Sequence, residues 1–186
     1  MTRAVDTREP RDRFLIVCEG ATEKLYFDGF RPNGYVFDAG CNTLSVVEKA
    51  VALRDQLLGR GEYIDQVWAV FDHDGEHPHR INGAFALAQR EEVSIAFSNR
   101  SIELWFVLHF DLLTSALSNA QLYQKLVDRM NSYTKGDRRL FVSLFPYMQT
   151  AITNAKRLLD EYKPWIPMSS DPSTTVFRLV EKLLIK

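Results

Sequence analysis

The sequence predicts an α/β fold, with a mainly parallel four-stranded sheet flanked by helices and a helical C-terminal part. Over the first hundred residues, short apolar runs alternate with helical patterns, which is typical of βαβ units. From Ser101 onward the apolar residues follow helical spacing. The chain has 186 residues and is 46% hydrophobic, which excludes a disordered chain.

Four apolar runs are predicted to form the strands. They are rich in β-branched and aromatic residues and are bounded by charged or turn-forming residues. The predicted strands are residues 14–18, 35–37, 67–71 and 93–97. Because helical patterns separate them, the sheet is expected to be mainly parallel, with helices on both faces.

The helices between these strands are predicted from apolar residues three and four positions apart. Thr22 is expected to cap the first, which runs to about Gly29. The second covers residues 44–58 and ends at two glycines, and the third covers residues 81–91.

The second half of the chain is predicted to be helical. Ser101 is expected to cap a helix that runs through Phe110. Further helices are predicted at residues 121–130, 148–162 and 176–184, joined by polar stretches at 131–139 and 164–173. The predicted organisation is an N-terminal arm (1–13), an α/β core (14–110) and a helical extension packed on the core (111–186).

Charge and cysteine content narrow the functional classes. Lys and Arg total 23 against 24 for Asp and Glu, so a nucleic-acid ligand would need a local basic patch or metal ions. Cys18 lies in an apolar run and is expected to be a buried free thiol. Because residues 1–13 lack an apolar leader and no stretch reaches transmembrane length, the sequence predicts a soluble, cytoplasmic protein with no membrane partner.

Acidic residues follow three of the four predicted strands. They are Glu19 and Glu23 after the first, Asp72 and Asp74 after the third, and Glu103 in the helix after the fourth. Because parallel strands end at one edge of a sheet, these carboxylates are expected to converge in one crevice. Their repulsion favours a bound cation, and oxygen ligands favour Mg²⁺ or Mn²⁺ over zinc. Taken singly, each is also typical of a solvated loop or a helix start.

The spacing suggests roles for these carboxylates. Asp72 and Asp74 are expected to project to the same side of an extended segment and to share one divalent ion. Glu19 could bind a second ion or act as general base, and Glu103 is a further candidate ligand. Glu23 is equally consistent with supporting the site and with an ordinary helix start.

Basic residues and histidines are weaker candidates. Lys135 lies in a small basic cluster that could contact phosphate, although a solvated loop explains it equally well. His73, His77 and His79 match no zinc motif, so a zinc site is disfavoured. His109 lies about 120° around a helix from Glu103 and is expected to pack or to support the site indirectly.

Several short motifs occur in a specific order along nearly the whole chain. They are Glu19-Gly-x-Thr-Glu23, Val70-Phe-Asp72-x-Asp74, Ala96-Phe-Ser-Asn99, Glu103-Leu-Trp105, His109-Phe110, Tyr133-x-Lys135, Ala151-Ile-x-Asn-Ala155 and Asp171-Pro-Ser-Thr174. In this order they resemble the motifs of RloB-like proteins, which have a Toprim-type catalytic core, as do the overcoming-lysogenization-defect (OLD) nucleases. The sequence departs from the pattern at Arg100, where relatives usually have proline, and at Asp171, where asparagine is commoner.

The resemblance implies roles for particular residues. It identifies Glu19 with the invariant Toprim glutamate, and Asp72 and Asp74 with the Asp-x-Asp pair. It also favours a functional role for Lys135, since Tyr133-x-Lys135 matches the family.

The resemblance implies a metal-dependent nuclease acting on DNA or on RNA such as tRNA. It would be the effector partner of an ATPase in bacterial anti-phage defence, of the abortive-infection kind. The sequence has no Gly-rich phosphate loop, so ATPase activity is expected from another protein.

Two other functions remain open from the sequence. One is a non-catalytic subunit that docks on an ATPase through residues 102–186, and the other is phosphoryl or nucleotidyl transfer at the same metal site. A homo-oligomer is also left open.

Overall fold

The computed structural model describes residues 11–185, so residues 1–10 of the predicted N-terminal arm lie outside the described part. It confirms the α/β class. The elements are β1 (Phe14–Cys18), α1 (Ala21–Asp28), β2 (Gly34–Asp38), α2 (Thr43–Gly59), β3 (Gln66–Asp72), α3 (Pro78–Arg90), β4 (Ser94–Asn99), α4 (Ile102–Val107), α5 (Asn119–Met130), α6 (Leu140–Leu144), α7 (Met148–Asp160), β5 (Ser173–Thr174) and α8 (Val176–Leu184).

The sheet has five strands in the order β2-β1-β3-β4-β5, one more than predicted. The first four strands are parallel, and β5 runs antiparallel to β4. The sequence predicts no strand at β5, which begins at the last residue of the polar stretch 164–173, because a strand of two residues shows no alternation that could reveal it. Hydroxyl groups hold this short strand: Ser98 Oγ lies 3.0 Å from Thr174 Oγ1, which also donates to the Phe97 carbonyl.

The strand order creates a crevice beside β1. The chain leaves β1 for β2 on one side and later enters β3 on the other. In open parallel sheets such a reversal opens a crevice at the carboxyl ends of the strands. Cys18 pairs with Val70 and Asp72 pairs with Ser98, so the ends of β1, β3 and β4 lie close to one level.

Two hydrophobic clusters cover the two faces of the sheet. Alternate strand residues point to opposite faces: Leu15 and Val17 belong to one cluster, and Ile16 and Cys18 to the other. The first is completed by α2 and α3, and the second by α1 and the C-terminal helices. Cys18 is a buried free thiol, as predicted.

Several predicted helix boundaries are wrong. Gly20, not Thr22, is the N-cap of α1, and the helix predicted through Phe110 ends at Val107. A short helix, α6, and a 3₁₀ turn at Phe145–Tyr147 were not predicted, since segments of five and three residues are too short to show helical periodicity. Among residues 11–185, none of the helices is both long enough and apolar enough to cross a bilayer.

A glycine lets α6 pack closely on α1. A Cβ atom at Gly29 would lie only 2.1 Å from Cγ of Phe141, so the aromatic ring occupies space that any other residue would fill. The Phe141 ring also contacts Phe30 and Tyr26, with centroid distances of 4.6 and 5.9 Å. This contact fixes α6 relative to the helix that begins at the crevice.

Candidate functional site

A cleft of about 230 Å³ opens at the carboxyl ends of the parallel strands. It is lined by Glu19, Gly20, Ala21, Thr22, Glu23, Asp72, Asp74, Ser101, Ile102, Glu103 and Lys135. The structure therefore brings together all six candidate residues, although they come from four separate parts of the chain.

Glu19 lies directly after β1 and spans the gap to β3. Its own N–H donates to the Val70 carbonyl at 2.9 Å, and its Oε2 accepts from the Asp72 N–H at 3.2 Å. Burial raises the pKa of Glu19 to about 7, against the lowering effect of the Asp72 N–H. A carboxyl group with this pKa can exchange a proton near neutral pH.

Asp72, the last residue of β3, is the most constrained carboxylate. Its side chain is buried, and Oδ2 accepts from the Ile102 N–H at 2.9 Å. Its other oxygen, Oδ1, is buried and has no hydrogen-bond partner among the described residues. Burial, reinforced by the charge of Glu23, raises the pKa of Asp72 well above its ordinary value. An unpaired buried oxygen of this kind is costly unless a proton or a cation binds it.

Glu23 is buried over the start of α1. A Cβ atom at Gly20 would lie 3.1 Å from its Oε2, so glycine at this position leaves room for the carboxylate. Burial raises the pKa of Glu23, and its own backbone N–H opposes the shift. Glu23 is therefore a helix-start residue that also lies inside the cleft.

Glu103 is held by two residues of the loop before α6. The Tyr133 hydroxyl donates to its Oε1 at 3.0 Å, and Lys135 Nζ lies 3.5 Å from the same oxygen. Tyr133 is buried, and burial raises the pKa of its hydroxyl above its ordinary range. Burial lowers the pKa of Lys135, but the charge and hydrogen bond of Glu103, together with the charges of Asp74 and Glu23, raise it by more, so the net shift is upward. Lys135 therefore pairs with a carboxylate of the cleft. Tyr133 is a site residue that the sequence showed only as part of a motif, with no role of its own.

Asp74 lies in the cleft with a different geometry from the one predicted. Its φ is +27°, so the chain turns after Asp72. The prediction that Asp72 and Asp74 lie on one extended segment is therefore wrong. Its N–H donates to the Arg100 carbonyl at 2.9 Å, and its Oδ1 accepts from the Asn119 side chain. Asp74 is exposed, unlike Asp72.

Ser101 is a further polar residue of the cleft that sequence reasoning assigned only to helix capping. It occupies the N-cap position of α4, but its side chain makes no capping hydrogen bond. Its Oγ is buried and has no partner among the described residues. The hydroxyl is thus available to a ligand in the cleft.

The histidines lie outside this arrangement. His77 Nδ1 accepts from the His79 N–H at the start of α3, and no zinc-like cluster forms among residues 11–185. His109 is fully buried, with Nδ1 3.0 Å from the Trp105 carbonyl. Burial lowers the pKa of His109 to about 4, so it is a neutral, packed histidine.

The donor chemistry of the cleft fits a hard divalent cation. All of its acidic ligands offer oxygen, and Asp72 Oδ1 is unpaired. In the described part of the chain, however, no three Asp, Glu, His or Cys side chains are grouped closely enough to hold a metal as they stand. Protein donors also occupy one oxygen of each of three other carboxylates: the Asp72 N–H at Glu19, Tyr133 at Glu103, and Asn119 at Asp74.

The comparisons with known proteins give one match. A family model described as RloB-like protein matches residues 14–183. No curated protein and no solved structure matches the chain.

Proposed function

Because the chain belongs to the RloB-like family, we propose that it is a divalent-metal-dependent phosphodiesterase, a nuclease of DNA or RNA with a Toprim-type core. The observation that carries this proposal is Asp72, a buried carboxylate with an unpaired oxygen in an acidic cleft. The Toprim-type core is part of the proposal, and it is supported by a glutamate that directly follows β1 and by two aspartates at and just after the end of β3.

The metal ligands in this proposal are Asp72 through Oδ1, together with Asp74 and Glu19 or Glu23. Mg²⁺ or Mn²⁺ bound there would neutralise the phosphate and lower the pKa of a bound water. Rotation of the exposed Asp74 side chain away from Asn119 would free a second ligand beside Asp72.

The remaining residues have separate roles. Glu19, with a pKa of about 7, is suited to accept the proton of the attacking water when it is not a ligand. Tyr133 orients Glu103, and Lys135 is placed to move from Glu103 to a phosphate oxygen. The Ser101 hydroxyl offers a further hydrogen-bond donor in the cleft.

The proposal includes a partner. We propose that the chain acts as the effector of an ATPase in anti-phage defence, since the sequence has no phosphate-binding loop of its own. The alternative, a non-catalytic subunit docking on that ATPase, has one observation in its favour. Protein donors already hold one oxygen each of Glu19, Asp72, Glu103 and Asp74, as in a structural polar network.

An isosteric substitution distinguishes these functions. Asp72→Asn keeps the acceptor for the Ile102 N–H and removes the charge. Purified variants would be incubated with plasmid DNA, single-stranded DNA and total tRNA, with Mg²⁺, Mn²⁺ or EDTA. Asp55→Asn is the matched control, because Asp55 lies on the surface of α2 and, among residues 11–185, pairs only with Arg54.

The nuclease proposal expects metal-dependent cleavage by the wild type and by Asp55→Asn, and at least a hundredfold loss in Asp72→Asn. Circular dichroism and thermal melts would verify that the variant folds. Equal cleavage by Asp72→Asn and the wild type would refute the proposed role of Asp72. If no substrate is cut even with the ATPase partner, and the partner still binds, the chain is a docking subunit.

A further inference from the structure

A stripe of exposed basic, apolar and aromatic side chains begins at the cleft, in the loop before α6, and extends through α6 and the 3₁₀ turn that follows it. We call it the α6 stripe, and it consists of Lys135, Arg138, Arg139, Val142, Phe145 and Tyr147. Val142 is 71% exposed, Phe145 49% and Tyr147 47%, which is unusual for apolar side chains so close together in sequence. Nothing in the proposed catalytic chemistry uses the stripe beyond Lys135.

The stripe is rigidly connected to the cleft. Lys135 lines the cleft itself and lies three residues before Arg138. Farther along, Phe141 anchors α6 against Gly29 at the end of α1. Helix α1 begins in the cleft and has eight residues, which corresponds to a length of about 12 Å. The stripe therefore runs alongside α1, away from the carboxylates.

The exposed rings are supported from beneath. The Phe145 ring contacts Phe141, with centroids 5.3 Å apart, and the Tyr147 ring contacts Phe110 at 5.2 Å. Each ring is held by one aromatic neighbour and remains about half exposed. Such preorganised rings can stack on a planar group with little loss of side-chain entropy.

The charges of the stripe favour a polyanion. Among residues 11–185, Arg138 forms no ion pair, and Arg139 pairs only with Asp137. Cations followed by exposed rings are the combination that single-stranded nucleic acids require, since cations contact phosphates and rings stack on bases. A duplex cannot use the rings in this way, because its base faces are already stacked.

We infer that the α6 stripe binds the single-stranded nucleic acid that flanks the scissile phosphate. This inference rests on the proposed function and deepens it, since it specifies the substrate as single-stranded at that flank. Arg138 and Arg139 contact phosphates next to the cleft, and Phe145 and Tyr147 stack on the following bases.

The test is oligonucleotide binding in EDTA, where no cleavage occurs. Fluorescence anisotropy would follow a labelled twelve-nucleotide single strand, as DNA and as RNA, and a blunt duplex of the same sequence. The variants are Phe145→Ala/Tyr147→Ala, the ring-preserving Phe145→Tyr, and Arg138→Ala. Tyr63→Ala is the matched control, because Tyr63 is 76% exposed and lies in the segment between α2 and β3, outside the residues that line the cleft or form the stripe.

The expected results are specific to rings and charges. The double variant loses about tenfold or more in single-strand affinity, since stacking is worth about 1–3 kcal/mol per base. Phe145→Tyr and Tyr63→Ala bind like the wild type, and the wild type prefers the single strand to the duplex. Arg138→Ala reduces the salt dependence of binding by about 0.7 in a log–log plot.

The results that would overturn the inference are equally distinct. Equal losses in Tyr63→Ala and the double variant, or no loss in the double variant, would refute it even if the wild type is a nuclease. Binding through the stripe with no metal-dependent cleavage, even with the ATPase partner present, would refute the nuclease proposal and leave the stripe as a surface that binds single-stranded nucleic acid. If oligonucleotide binding is unchanged but self-association disappears in the double variant, the stripe is a protein interface.

Discussion

Replacing Gly29 with alanine tests how tightly α6 is fixed to the helix that enters the cleft. The new Cβ atom would lie 2.1 Å from Cγ, 2.5 Å from Cδ1 and 2.6 Å from Cβ of Phe141. Rotating the ring cannot relieve the contact with Cβ, so α6 must move. The displacement also disturbs the ring contacts of Phe141 with Phe30 and Phe145.

The expected loss follows from two opposing effects. Overpacking of this kind costs about 1–3 kcal/mol. Gly29 has ordinary helical dihedrals (φ −60°, ψ −29°), so alanine recovers about 0.4–1 kcal/mol by restricting the unfolded chain. The net destabilisation is about 1–2 kcal/mol, which lowers Tm by about 2–8 °C in a chain of this size.

Thermal and urea unfolding of four variants provides the assay. Gly29→Ala, Phe141→Ala and the double variant form a double-mutant cycle, and Gly59→Ala is the control. Gly59 ends α2, and no atom of the described residues lies within 4 Å of the position its Cβ would take, so alanine there is expected to stabilise by about 0.4–1 kcal/mol. Removing the Phe141 ring should abolish only part of the destabilisation by Gly29→Ala, since the close contact with Cβ of residue 141 remains. A Gly29→Ala chain as stable as the wild type, or strictly additive losses, would refute this account of the packing.

Three further predictions concern the cleft. Tyr133→Phe removes the hydrogen bond to the buried Glu103 and is expected to lower the free energy of unfolding by about 1–2 kcal/mol; unchanged urea unfolding would show that the hydroxyl contributes nothing. Because burial raises the pKa of Glu19 to about 7 in the folded chain, its protonated form stabilises the fold below its ordinary pKa of 4.5. In EDTA this contribution declines as the pH rises from about 4.5 to 7, so Tm should fall over that interval in the wild type and less in Glu19→Gln. Finally, Arg100→Ala removes an exposed ion pair with Asp171 (3.0 Å) and should change the free energy of unfolding by less than about 1 kcal/mol. Cleavage should change by less than threefold, because the Arg100 carbonyl that accepts the Asp74 N–H remains. A tenfold loss of cleavage would assign the side chain a positioning role.

The sheet and the convergence of acidic residues could be predicted from the sequence for a physical reason. Strands buried on both faces appear as continuous apolar runs, such as residues 14–18, and parallel strands must end at one edge. These two facts are sufficient to bring Glu19, Asp72 and Glu103 into one cleft. They do not depend on how any individual side chain is oriented.

The parts that could not be predicted depend on contacts distant in sequence. Asn119 reaches Asp74 across 45 residues, and Tyr133 reaches Glu103 across 30. The positive φ of Asp74 is accompanied by a hydrogen bond from its N–H to the carbonyl of Arg100, a residue distant in sequence. The two departures from the family pattern, Arg100 and Asp171, form an ion pair with each other, which no local pattern indicates.

The short antiparallel strand β5 also has a consequence for synthesis on the ribosome. Ser173 pairs with Asn99, so β4 has no partner on this side until roughly seventy more residues have been synthesised. At ordinary translation rates this takes about 4–15 s. During that interval the nascent chain presents a β-strand edge with unpaired backbone groups to other nascent chains and to chaperones. Slowing translation between codons 100 and 172 is therefore expected to increase co-translational aggregation, whereas slowing it before codon 90 is not.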